Sequence, residues 1–126
     1  MSIRVLCVDD SKPVLDVLGR LLNSEEDIEV VATARSGEEA ISRIKTVSPD
    51  VVTLDIRMPG ISGIDVLRYL RGMPSPPVIV ISSYTQPGMR ITIEALEEGA
   101  FDFIPKPASG KLSDLIKMKD DLTRLV

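Results

Sequence analysis

The sequence predicts an α/β fold, a doubly wound parallel sheet of five strands with helices on both faces, layered as a three-layer sandwich. Three observations carry this expectation. Short aliphatic runs alternate five times with amphipathic stretches at helical spacing. Four of those runs end directly on acids, hydroxyls or prolines, as strands do where they leave a sheet edge. Aromatic residues make up only 3% and tryptophan is absent, so Val, Leu and Ile must fill the core, as is usual where helices pack on a parallel sheet.

Taken in order, Ile3 to Val8 is an apolar run broken only by Arg4, and it spills into Asp9, Asp10 and Ser11. Pro13 suits a helix's first turn, and Val14, Leu15, Leu18, Leu21 and Leu22 then repeat at helical spacing to about Asn23. Ile28 to Ala34 reads as the second strand. Ser36-Gly37-Glu38-Glu39 has the pattern of a capping box, with Ser36 and Glu39 as its reciprocal pair, and the helix it opens ends at Ser48-Pro49. Val51 to Leu54 is the third strand and closes on Asp55. Ser62 caps a third helix carrying Ile64, Val66, Leu67 and Leu70, which stops near Gly72 and Pro74. Val78 to Ile81 is the fourth strand, ending on Ser82 and Ser83. Pro87 opens a fourth helix with Met89, Ile93 and Leu96 expected inward and Gly99 at its C-terminal cap. Phe101 to Ile104 is the fifth strand, followed by Pro105, Lys106 and Pro107. A last amphipathic helix carries Leu112, Leu115, Ile116, Leu122 and Leu125.

Among the few topologies that right-handed crossovers allow, the order 2-1-3-4-5 places strands one and three side by side at the switch point. Asp9, Asp10 and Asp55 then meet at one crevice, faced by Ser82 and Lys106. The 126 residues are expected to form one domain, 1–126, with room to bury roughly two thirds of the unfolded surface.

Composition narrows the chemistry. A net charge of -4 gives no basic footprint for nucleic acid. There is no apolar run of membrane-spanning length, and the lone Cys7 lies within a strand, so a cytoplasmic location is expected. With no histidine, the chain offers neither a Ser-His-Asp triad nor a His-ligated zinc site. Three converging carboxylates repel one another, and a cation bound by oxygen alone relieves that repulsion; Mg2+ is the natural choice. A screened carboxylate can then attack a phosphoryl group and become an aspartyl phosphate, while Lys106, Ser82 and the cation share the transferred oxygens. Each piece alone has an ordinary reading as a loop, cap or exposed lysine. Their coincidence at successive strand ends is the signal.

Asp9-Asp10-Ser11, Asp55 with Met58-Pro59-Gly60 and Gly63, Ser82-Ser83 and Lys106-Pro107 resemble the receiver domain of two-component response regulators, a flavodoxin-like fold of the same strand order, over essentially the whole chain. The resemblance implies that Asp55 is the phosphoacceptor, taking its phosphoryl group from a sensor histidine kinase. It implies Mg2+ held by Asp10, Asp55 and the backbone carbonyl of Arg57, with Asp9 acting indirectly. Lys106 would pair with the phosphoryl group, Ser82 would be the switch hydroxyl and Phe103 the rotating aromatic. Arg57, Ser83 and Tyr84 stand where receivers control access to the acceptor. Output would pass through helix four, strand five and helix five to an attached domain or partner protein. Ser82-Ser83-Tyr84-Thr85, Glu94-Ala95-Leu96-Glu97 and Gly99 to Phe103 are similar to the receiver half of chemotaxis protein-glutamate methylesterases. Their hydrolase half has no counterpart in these residues, and a chain without histidine cannot itself run that esterase reaction. It would carry no enzyme activity beyond self-phosphorylation from a donor.

Readings from other classes remain open at this point. A magnesium-dependent phosphohydrolase would also form an aspartyl phosphate, but normally carries Asp-x-Asp where this chain has adjacent acids and Ser11. A flavodoxin-like electron carrier would need a hydroxyl-rich phosphate loop where Asp9 and Asp10 stand. A phosphorylation-independent interaction module would not need all the polar positions that are present.

Overall fold

Five parallel strands lie side by side in the order β2-β1-β3-β4-β5, as expected from sequence. The structure, a computed structural model, describes residues 2–56, 58, 60–72, 74–82, 86–105 and 120, and at 82, 86–89, 91 and 105 the backbone alone. The last helix expected from the sequence lies outside the described residues. In chain order the elements are β1 (Ile3–Val8), α1 (Lys12–Asn23), β2 (Ile28–Ala34), α2 (Gly37–Val47), β3 (Val51–Asp55), α3 (Gly63–Leu70), β4 (Val78–Ser82), α4 (Gln86–Glu97) and β5 (Asp102–Pro105).

Residues alternate across the sheet, so each strand feeds two cores. Val5 and Cys7 of β1, Val51 of β3, Ile79 and Ile81 of β4 and Ile104 of β5 pack with Leu15, Leu18 and Leu22 of α1. Leu6, Val8, Val52, Leu54 and Val80 face the other way, toward Ala40 and Ile44 of α2, Ile64, Val66, Leu67 and Leu70 of α3, and Ala95 of α4. Burial on both faces explains why the strands read as continuous aliphatic runs. Cys7 is fully buried, and that burial pushes its thiol up to about 11, only partly offset by the neighbouring Thr53 hydroxyl.

Serines open α1, α2 and α3 as N-caps. Ser11 Oγ accepts the Val14 N–H, with proline in the first turn of α1. Ser36 Oγ accepts the Glu39 N–H at 3.1 Å, but the Glu39 carboxylate reaches toward Arg43 at 3.8 Å; the reciprocal box, with both bonds, sits at Ser62 and Asp65. Ser48 ends α2 in the left-handed region (φ 52), and its carbonyl accepts Arg4 NH1 at 2.8 Å.

Two further expectations are corrected. The fifth strand begins one residue later, at Asp102; Phe101 is 62% exposed, although its N–H still donates to the Val78 carbonyl at 2.8 Å. Helix α4 is rotated from the face the periodicity suggested. Ile93 is 55% exposed and Leu96 38%, while Thr92 and Ala95 are buried. Of the stripe expected inward, Ile93 and Leu96 thus face outward, while the side chain of Met89 lies outside the described structure.

Candidate functional site

Strands β1 and β3 pair in parallel up to Val8 opposite Leu54, so the next residues, Asp9 and Asp55, emerge side by side at the carboxyl edge of the sheet. The Asp9 N–H donates to the Ala34 carbonyl at 3.0 Å, and the Asp9 carboxylate accepts the Ser11 N–H at 2.9 Å. Asp10 follows in the open β1-α1 loop. One carboxylate oxygen from each of Asp9, Asp10 and Asp55 lies within 4.8 Å of the others. Asp9 and Asp55 are only 1% and 5% exposed, whereas Asp10 faces solvent.

Two ionised groups at such a separation repel by about 3 kcal/mol at an effective dielectric of about 20. A divalent cation among them reverses the sign of the interaction. The donor set is all oxygen and carboxylate-rich, partly buried and open to water through Asp10, which suits a small hard ion that keeps several waters. The residues present therefore fit magnesium.

Gly63 fixes the loop that follows Asp55. Its N–H donates to the Ile56 carbonyl at 2.8 Å, and a Cβ there would stand 2.7 Å from Ile56 Cα and 2.9 Å from the Asp55 carbonyl oxygen. Both obstacles are backbone, so no side chain can turn aside for it. Glycine lets α3 start directly against the end of β3, which holds that end of the strand in place.

On the neighbouring strand Ile81 stands opposite Asp55, and Ser82 is the next residue toward the same edge. Ser82 in turn pairs with Pro105 of β5, the residue before Lys106 in the sequence. Phe103 is half-buried and packs against the core shared by α2, α3 and α4. The described structure thus brings together Asp9, Asp10 and Asp55 and sets the Ser82 backbone at the same edge. Arg57, Ser83, Tyr84 and Lys106 lie outside the described residues.

Sequence reasoning passed over Arg35, Gly37 and Glu38 at the start of α2. Arg35 NH2 donates to the Asp10 carbonyl at 3.4 Å, and Glu38 accepts the Ile61 N–H at 3.4 Å. The only signal they left was their place after a strand, and the capping pattern already explained that.

A parallel sheet in this order, with acids gathered at its switch point, defines a receiver. Residues 5–118 match the response regulator receiver domain, and the chain belongs to that family. It is 47% identical over 98% of its length to the protein-glutamate methylesterase/protein-glutamine glutaminase of Bacillus subtilis, and 48% identical over 96% to that of Pyrococcus abyssi. The chain spans about a third of the length of those relatives, 35% and 33%. Among solved structures it is similar to the response regulator domain of Thermotoga maritima CheB, with TM-score 0.89 and 39% identity, covering 99% of this chain and 93% of that one. Its likeness is thus to the receivers of chemotaxis methylesterases. Receivers take a phosphoryl group from histidine kinases, typically with magnesium, and regulate an output domain. Among the described residues no helix is long and apolar enough to cross a membrane.

Proposed function

We propose that Asp55 is the phosphoacceptor of this receiver and that Asp10 and Asp55 hold magnesium beside it, with Asp9 assisting indirectly. The observation that carries the reading is the convergence of three carboxylates at the β1-β3 edge, with Asp55 nearly buried at the end of the central strand. Bound there, magnesium would neutralise the crevice and accept an oxygen of the incoming phosphoryl group. An Asp55 oxygen forms the new bond to phosphorus as the bond from phosphorus to the donor's nitrogen breaks. The nitrogen keeps that electron pair, and the phosphoryl group ends as an aspartyl phosphate.

Asp55 is held for this step by its strand on one side and by Gly63 on the other. Lys106 would offer its ammonium to the transferred group, the Arg57 carbonyl would complete the metal ligands, and Arg57, Ser83 and Tyr84 would flank the path of donor and water. Drawn toward the new charge, the Ser82 hydroxyl would shift together with Phe103 and alter the surface of α4, β5 and the helix expected after them. The donor would be a sensor histidine kinase of the cytoplasm, and the output a methylesterase or glutaminase activity like that named for the relatives.

The test is mass spectrometry after incubation with acetyl phosphate and magnesium. The unaltered chain should gain one phosphoryl group, and Asp55→Asn, which keeps the shape and removes the nucleophile, should gain none. A mass gain retained in full by the variant overturns the assignment.

A further inference from the structure

We infer that the β2-α2 junction, from Ala34 at the end of β2 to Glu38 in the first turn of α2, is a positioning element that sets the separation of the two acid-bearing loops, an inference that rests on the magnesium reading above. The junction touches both loops. On one side the Ala34 carbonyl accepts the Asp9 N–H at 3.0 Å, and the Arg35 guanidinium donates to the Asp10 carbonyl at 3.4 Å. On the other, Glu38 Oε1 accepts the Ile61 N–H at 3.4 Å in the β3-α3 loop. The same oxygen lies against Gly60, where a Cβ would come within 3.2 Å of it, and Gly60 has the left-handed backbone (φ 80) that closes the loop.

Between these contacts sits Gly37, which is buried. A Cβ on Gly37 would collide with Ile61 Cγ1 and lie 2.8 Å from the Ile61 carbonyl oxygen. The first turn of α2 is therefore seated on the β3-α3 loop without slack. One short segment thus spans from the backbone of Asp9 and Asp10 to the loop leaving Asp55.

The chemistry of the site gives this span a task. Magnesium demands near-ideal octahedral geometry with short oxygen distances, so ligands on separate loops must keep a fixed spacing. The acids themselves repel and push those loops apart when the cation is missing. Arg35 and Glu38 oppose that motion by gripping backbone groups on either side, while their own charges stay exposed. They act through the ligands and not on the ion.

The experiment uses the full chain with Arg35→Met and Glu38→Ala combined. One cation and one anion are lost, so the net charge of -4 is kept and long-range attraction for Mg2+ is unchanged. Isothermal titration with Mg2+ alone should show the dissociation constant raised about fivefold, with the melting temperature in chelator little altered because both side chains are exposed. Glu38→Gln, which retains an acceptor for the Ile61 N–H, should bind Mg2+ within about twofold of the unaltered protein. Exchange of the Ile61 amide in metal-free protein should quicken in Glu38→Ala and not in Glu38→Gln. Equal Mg2+ affinity in the double variant, or an Ile61 amide indifferent to Glu38→Ala, overturns the brace. Failure of the unaltered chain to bind Mg2+ overturns the magnesium reading instead, and the Ile61 amide still decides whether the turn grips the loop.

Discussion

Helices α3 and α4 lie side by side on one face of the sheet, and they are attached to it by different means. Helix α3 buries Gly63, Ile64, Val66, Leu67 and Leu70, five of its eight residues. Among the described side chains of α4 only Thr92 and Ala95 are buried, while Ile93 and Leu96 point outward. Among the described residues, ion pairs join α3 to α4 and to Glu98 just after it. Arg68 reaches Glu94 at 3.0 Å and Glu98 at 3.5 Å, and Arg71 reaches Glu98 at 2.8 Å. Beside these pairs a cleft lies between the end of α3 and the residues that follow α4, lined by Leu70, Arg71, Ser75 and Glu98. Apolar burial binds α3 to the sheet, whereas the described side chains of α4 contribute two small buried residues and an ion pair through Glu94. The acid cluster sits at the end of the strand against which α3 begins.

Truncation should expose the contrast most strongly. Leu67→Ala is expected to cost about 3 kcal/mol in urea unfolding, as a fully packed leucine does. Leu96→Ala should cost less than about 1 kcal/mol. Similar losses from the two would erase the distinction.

Next in size is the response to beryllofluoride, which stands in for the phosphoryl group. Amide protection from Val78 to Pro105 should change by about tenfold, equivalent to about 1.4 kcal/mol, while that of β1 and β2 stays fixed. Identical exchange with and without the analogue would refute coupling between Asp55 and α4.

The smallest effect expected is that of Glu98→Gln. Removing the carboxylate charge shared by Arg68 and Arg71 should cost about 1 kcal/mol or less, since both arginines are more than half exposed. Its mark should be local: α4 amides exchange faster, α3 amides do not. Equal acceleration in both helices would show that the ion pairs hold the whole face.

This contrast also marks what the sequence could convey. Strands buried on both faces announce themselves as aliphatic runs, and an acid at the end of such a run is placed as soon as the strand order is right; Asp9, Asp10 and Asp55 were legible for that reason. Helix α4 was misread because spacing shows that Met89, Ile93 and Leu96 form a stripe and cannot say which surface meets the sheet. Among the described side chains Thr92 and Ala95 take the inner face, and neither belongs to that stripe. Arg35 and Glu38 were passed over for another reason. Their partners are backbone groups of two loops distant in sequence, and no local pattern encodes such a meeting.

The sealed thiol of Cys7 makes the protein its own clock. At pH 8 a disulfide reagent meets neither an accessible sulfur nor a thiolate there, because the buried group keeps its proton up to about 11 where an ordinary thiol loses it near 9.0. Labelling must wait for the core between α1 and the sheet to open around Cys7, so its rate counts those openings. Between pH 9 and 11 the unfolded chain sheds this proton and the folded one keeps it, so stability falls as pH rises through that window. Two residues on, just past the end of that strand, stands Asp9, and a cation bound at that edge should slow the clock in proportion to its occupancy. A single colour change would thus report, without any added probe in the fold, how tightly the acid edge is held shut.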